Sequence, residues 1–165
     1  HGLCRLLGVA DEVAGAGFTL KRGGTFRWGR SAEPWQFSFA MSPRVPEPMS
    51  TAFQVERSRF DEILLRNAAD NGVVVREGNR VRAVTRDGTG RVDGVEYTGR
   101  DGVAHTVAAR YVVDASGNTS RIHGQVGARV RSDFFRDLAV FGYFAGGARL
   151  PRPHSGNIFC ATFDA

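Results

Sequence analysis

The apolar positions of this chain change period several times, and each change marks an element. Leu3, Leu6, Leu7 and Val13 recur at helical spacing, and Gly15 and Gly17 can end that helix. Two strand-like runs follow, Phe18–Trp28 and Trp35–Met41, with Gly23-Gly24 as a bend or bulge in the first. Pro43, Pro46 and Pro48 make the stretch 42–50 a loop. The clearest helix is expected over 58–71. Ser58 is its N-cap with Asp61 three residues on, Phe60, Ile63, Leu64 and Ala68 form its buried stripe, and Gly72 is its C′ residue. Val73–Val75 reads as a short buried strand. Alternation then predicts a meander: Val81–Arg86, a turn at Asp87-Gly88, Val92–Tyr97, a turn at Arg100-Asp101-Gly102, and a strand through His105–Ala115. A short helix over Asn118–Gly127 and strands at Ala139–Phe144 and Asn157–Phe163, joined by a loop around Pro151 and Pro153, complete the pattern. Helices and parallel-looking strands alternating with a meander predict an α/β or mixed α+β class.

Composition narrows the function classes. At 165 residues the chain can hold one domain with a real core. The net charge of +5 is spread along the chain, and no basic run interleaves with aromatics, so nucleic acid is not the expected partner. Cys4 and Cys160 lie far apart with no CxxC, and His1, His105, His123 and His154 have no ligand spacing. No metal site or disulfide is expected, and both thiols are expected to be buried. No stretch is long and apolar enough to span a membrane, so a cytoplasmic protein is expected. The opening at His1 and the stop after Phe163-Asp164-Ala165 suggest a piece of a larger protein.

One residue stands apart. Lys21 is the only lysine among 22 basic residues. It lies in Phe18-Thr19-Leu20-Lys21-Arg22-Gly23-Gly24-Thr25-Phe26-Arg27-Trp28-Gly29, between aromatic neighbours. A guanidinium stays protonated, whereas an amine can give up its proton and act as a nucleophile. By itself, a lone lysine in an arginine-rich chain is only a compositional oddity.

Two segments suggest a nucleotide-type cofactor. In Phe53-Gln54-Val55-Glu56-Arg57-Ser58 a strand runs into a helix, which puts Arg57 at the positive end of a helix dipole, a place suited to pyrophosphate. An ordinary surface ion pair is the alternative for Arg57. In Tyr111-Val112-Val113-Asp114-Ala115-Ser116-Gly117 a buried strand ends in an acid, two small residues and a glycine. Small residues there let a ligand approach the backbone. A plain strand–turn–helix, with Asp114 as a capping acid, is the alternative.

In this order the two segments resemble the FAD-dependent monooxygenase superfamily with the p-hydroxybenzoate hydroxylase-like, FAD/NAD(P)-binding fold. The resemblance makes Arg57 the flavin-contacting arginine and Val81-Arg82 the stretch whose backbone passes the adenine. It makes Asp114-Ala115-Ser116-Gly117 the Asp-Gly turn, with two residues inserted as in flavin-dependent halogenases. The Lys21 strand is similar to the halogenase strand that carries the essential lysine, and His1–Val9 resembles the helix after the early flavin loop. Phe141–Phe144 and Gly156–Phe163 resemble substrate-side strands of the phenol and carrier-protein branch. Residues 1–165 then read as the central part of one halogenase domain, truncated at both ends, with flavin-binding and substrate-side strands interleaved. The GxGxxG loop is missing, and the Trp-x-Trp-x-Ile-Pro run would begin past Ala165.

The resemblance implies a mechanism. FADH2, delivered by a separate flavin reductase, and O2 convert chloride to hypochlorous acid. An internal tunnel leads the acid to Lys21, whose amine either hydrogen-bonds HOCl and raises its electrophilicity or forms a chloramine, and an electron-rich aromatic, free or tethered to a carrier protein, is then substituted. Two other readings remain open. An aromatic hydroxylase or prenyl-chain reductase on the same scaffold would not need Lys21, and a non-catalytic basic binding module would take up no flavin.

Overall fold

The computed structural model describes residues 2–45, 49–134 and 137–162. Pro46, Pro48 and Phe163, which belong to an expected loop and strand, lie outside them. The chain divides into two compact units, residues 1–75 with 142–165, and residues 76–141.

In the first unit the predicted opening helix is two short ones, α1 (Gly2–Leu6) and α2 (Ala10–Gly15). Gly8, at φ 73°, turns the chain between them. Strand β1 (Thr19–Lys21) pairs antiparallel with β4 (Ala52–Gln54), setting Lys21 opposite Ala52. One residue later the chain changes sheet. β2 (Gly23–Arg27) lies between antiparallel β3 (Trp35–Ser38) and parallel β8 (Ile158–Ala161). The bend expected at Gly23-Gly24 thus falls at Arg22. Gly23 is needed for the pairing itself, since a Cβ there would stand 1.9 Å from the Phe37 carbonyl oxygen.

Helix α3 (Arg57–Asp70) begins one residue earlier than expected. The Glu56 carbonyl accepts from the Phe60 amide at 3.0 Å, which makes Glu56 the N-cap. Ser58 therefore sits inside the first turn, and its hydroxyl donates to the Glu56 carboxylate at 3.0 Å rather than capping the helix. The C-terminus follows the expectation. Gly72, at φ 89°, is the C′ residue, with Gly72 N–H to Ala69 O and Val73 N–H to Ala68 O, both 3.0 Å. The core is Val9, Val13 and Ala16 against Ile63, with Cys4, Phe18, Phe53, Phe60 and Leu64 packed around it. The two thiols are half-buried and free, not fully buried.

In the second unit the meander forms as read. β5 (Arg80–Arg86), β6 (Val92–Thr98) and β7 (Ala104–Ala108) make an antiparallel sheet. Its turns are built on Asp87, which accepts from the Thr89 and Arg91 amides, and Asp101, which accepts from the Val103 amide. The third strand stops at Ala108, short of the expected Ala115. The helix expected over 118–127 is two single 3-10 turns, Gly117–Thr119 and His123–Gln125.

Three apolar runs expected as strands are irregular: 73–75, 110–114 and 139–144. Val74, Val113 and Phe144 are largely exposed. A strand is a pairing, and among the described residues none pairs with these runs. No helix among the described residues is long and apolar enough to cross a membrane.

The core assigns Ile63 a measurable weight. It is 7% exposed and the one buried residue of α3. Ile63→Ala is expected to lower the unfolding free energy by about 2–4 kcal/mol in a denaturant titration, whereas Leu65→Ala, on the exposed side of the same helix, is expected to change it little.

Candidate functional site

Two stretches of the second unit that the resemblance assigns to a cofactor converge. Val81, on β5, and Asp114, Ala115 and Ser116 line one concavity of about 540 Å³, together with Val95, Val112, Val113, Ile122 and the arginines Arg80 and Arg121. Residues more than thirty positions apart in sequence thus line one concavity with both apolar and charged side chains. Its size falls in the range of small-molecule sites.

Asp114 is the organised polar group there. Its Oδ1 accepts from the Ser116 amide at 3.0 Å and from the Ser116 hydroxyl, and its Oδ2 accepts from the Ser120 hydroxyl. These bonds, the Ser116 hydroxyl first, hold its carboxyl down at about 2. It is a fixed anion at neutral pH, with lone pairs left to accept from a ligand hydroxyl. Gly117, at φ 67°, lets the chain turn directly after the acid. The acid does not end a buried strand, as expected, because 110–114 is irregular and, apart from half-buried Val112, exposed. The Asx-type turn on Ser116 sets its position instead.

Gly117 and Arg82 flank this concavity without lining it. The Arg82 guanidinium donates to Thr98 Oγ1 at 3.0 Å. The Arg82 carbonyl accepts from the Gln125 amide at 3.1 Å, while Gln125 Oε1 accepts from the Val84 N–H at 3.0 Å. Gln125 thus occupies the open edge of β5 as a neighbouring strand would. Sequence reasoning missed it, along with Ser120, Arg80 and Arg121. The Asp-x-Ser-x3-Ser spacing was the available signal for Ser120. Nothing local marked Gln125.

Arg57 belongs to the other unit. It is the first residue of α3, and it forms a bidentate pair with Asp61, Nε–Oδ1 3.0 Å and Nη2–Oδ2 2.9 Å. Asp61, expected in a capping box, is the partner of this guanidinium and raises its pKa. The pair is well exposed and therefore weak.

Lys21 ends β1, half-buried, with Nζ 5.7 Å from the centre of the Phe39 ring. Its neighbour Arg22 is tied on both sides through the backbone. The Arg22 carbonyl accepts from Phe39 N–H at 2.9 Å and the Ser38 hydroxyl at 3.3 Å, and the Arg22 N–H donates to Asn157 Oδ1 at 3.2 Å. Gly156 abuts β1 so closely that a Cβ would stand 2.1 Å from the Leu20 carbonyl oxygen. The Gly156-Asn157 segment therefore flanks the lysine, and sequence reasoning did not single out Asn157 as the partner of the Arg22 amide. Phe141–Phe144, expected as another substrate-side strand, is irregular and exposed.

Residues 42–160 match the family described as tryptophan halogenase. The chain belongs to this family of flavin-dependent halogenases. It is 33% identical over 147 residues to tryptophan 2-halogenase of Chondromyces crocatus, covering 88% of this chain and 27% of that protein. It is 31% identical to the 1H-pyrrole-2-carbonyl-[peptidyl-carrier protein] brominase of Pseudoalteromonas luteoviolacea, covering 94% of this chain and 36% of that one. Among solved structures, the myxobacterial chondrochloren halogenase CndH superposes with a TM-score of 0.90 at 50% identity, over 99% of this chain and 37% of that chain. The α/β halogenase fold is thus confirmed over the described residues, and the chain spans about a quarter to two fifths of these relatives.

The Asp114 geometry carries a pH signature. Its carboxyl lies below the ordinary 3.8, so the stabilisation it lends the turn is present above about pH 4 and is lost as pH falls toward 2. Ser116→Ala is expected to move the Asp114 midpoint up toward 3.8 in a carboxyl-carbon NMR titration. An unmoved midpoint contradicts the assigned cause.

Proposed function

We propose that this halogenase uses FADH2 and O2 to halogenate an electron-rich aromatic, chloride being the halide and Lys21 the residue that delivers it. The family match supports flavin dependence, and the concavity on the second unit fits an adenosine-containing ligand. Val81 lies on its wall with Arg82 beside it, and the anionic Asp114, backed by Ala115, Ser116 and Gly117, accepts from a hydroxyl. Arg57 at the start of α3 suits a pyrophosphate. Flavin chemistry, fed by a separate reductase in the cytoplasm, supplies the oxidising equivalent that turns chloride into HOCl.

The observation that carries the reading is the setting of Lys21. A half-buried amine ends a strand, its ammonium over the Phe39 ring and the next backbone unit tied on both sides. Once neutral, this amine attacks the chlorine of HOCl. The N–Cl bond forms, the O–Cl bond breaks, and water leaves with the amine proton. The aromatic carbon then takes Cl⁺ from nitrogen and loses its own proton, which restores the amine. A guanidinium cannot do this, since it stays protonated. A hydroxylase or a prenyl-chain reductase has no use for such an amine. The domain boundary we infer is one halogenase domain of which residues 1–165 are the central part.

In the intact enzyme, Lys21→Arg is expected to lower product formation by at least about a thousandfold, the scale of losing a covalent catalyst, while flavin binding and oxygen consumption persist. Halogenated product from Lys21→Arg at near the wild-type rate, followed by mass spectrometry, would refute the assignment.

A further inference from the structure

The segment that leads into β8 is built against the end of β1. Two backbone bonds fold it into a turn, His154 N–H to Pro151 O at 2.9 Å and Asn157 N–H to His154 O at 2.8 Å. From Ile158 onward the chain is fixed by the parallel pairing of β8 with β2, Ile158 facing Gly24. Between turn and strand, Gly156 and Asn157 meet the β1–β4 pair. The Gly156 carbonyl accepts from Gln54 Nε2 at 3.2 Å, and its Cα faces the Leu20 carbonyl so closely that a side chain has no room. Asn157 Oδ1 accepts from the Arg22 N–H at 3.2 Å.

That last bond reaches the lysine through the backbone. The Arg22 nitrogen is bonded to the Lys21 carbonyl carbon, and the peptide between them is planar. Holding the Arg22 N–H therefore holds the plane that begins at the Lys21 Cα. The other side of Lys21 is set by the strand register, which places Lys21 opposite Ala52. With both flanking peptides held, the Lys21 Cα–Cβ bond has a set direction, and the ammonium stands over the Phe39 ring. The Asn157 amide is itself oriented. Its Oδ1 faces an N–H, where an NH2 group has nothing to donate to, so Nδ2 is the atom left for the ring of half-buried His154, 3.4 Å from Nδ1. Both polar atoms of the Asn157 side chain thus have partners.

We propose that Asn157 is a positioning residue for halogen transfer: through the Arg22 N–H it fixes the direction in which Lys21 presents its amine. This rests on the catalytic reading of Lys21 above, and Asn157 acts through the lysine rather than on the reacting atoms. Without the bond, the peptide after Lys21 can turn and the amine is misplaced, a defect that costs rate steeply in covalent catalysis. Flavin oxidation is left intact, so the signature is uncoupling. HOCl still forms, but it escapes to solution instead of chlorinating Nζ with loss of water.

The test uses the intact enzyme with reduced flavin, oxygen and chloride, no aromatic acceptor, and taurine in solution to trap escaped HOCl as its chloramine. Peptide mass spectrometry reads chlorine on Lys21 per flavin oxidised. Asn157→Leu keeps the shape of the side chain but accepts nothing, and it should lower Lys21 chlorination at least about tenfold, with trapped HOCl rising and flavin oxidation unchanged. Asn157→Ala removes the same acceptor with no bulk and should behave alike, which covers the case of a leucine variant that does not fold. Asn157→Asp keeps the acceptor for Arg22, and His154 can meet it by switching tautomer, so chlorination should stay near the wild-type level. Three results overturn the proposal: the acceptor-less variants chlorinate Lys21 as wild type does, the aspartate variant is as impaired as they are, or chlorination falls only in step with flavin oxidation. A wild-type enzyme with no chlorine on Lys21 sinks the catalytic reading and this inference with it. Equal chlorination in wild type and Asn157→Leu sinks the positioning role alone.

Discussion

The backbone of Arg22 is the constraint on which the first unit turns. Before it, β1 pairs with β4. After it, β2 pairs with β3 and β8. A single residue between two sheets has peptide groups that neither ladder serves, and although Arg22 is exposed they find partners within the protein. Phe39 N–H, the Ser38 hydroxyl and the Asn157 side chain serve them instead. Two segments remote in the chain, at Ser38-Phe39 and at Asn157, are thereby drawn to the residue next to Lys21. The amine's location follows from that requirement, since the strand must end where the sheet changes.

The second unit solves a different problem with side chains. The free edge of β5 is closed by Gln125, and the turn after the irregular run 110–113 is organised by the Asp114 carboxylate on two serine hydroxyls and an amide. Both devices place backbone and a fixed negative charge around one concavity. The charge there is set by local hydrogen bonds, so it does not depend on burial.

Much of this was legible in the chain. The meander was, because alternation and the Asp87 and Asp101 turns agree on the same strand ends. The C-terminus of α3 was, because Gly72 at C′ admits few other readings. The resemblance grouped Val81 and Arg82 with Asp114–Gly117, and of these Val81 and Asp114–Ser116 line one concavity. Other features depended on partners remote in sequence. Apolar runs at 73–75, 110–114 and 139–144 carry strand periodicity but find no pairing edge among the described residues. For Arg57 the sequence left a pyrophosphate contact and an ordinary ion pair both open, and Asp61, one helical turn on, proved to hold it. Asn157 and Gln125 act on backbone 135 and 41 residues away, respectively, and no local motif announces such contacts.

The central claim is that Lys21 itself carries the halogen. The most direct measurement is peptide mass spectrometry of the intact enzyme after turnover with reduced flavin, oxygen and chloride in the absence of an aromatic acceptor. The account predicts a chlorine isotope pattern on the peptide containing Lys21, localised to Nζ and erased by a thiol. Chlorine found on other residues while Lys21 stays unmodified would contradict it.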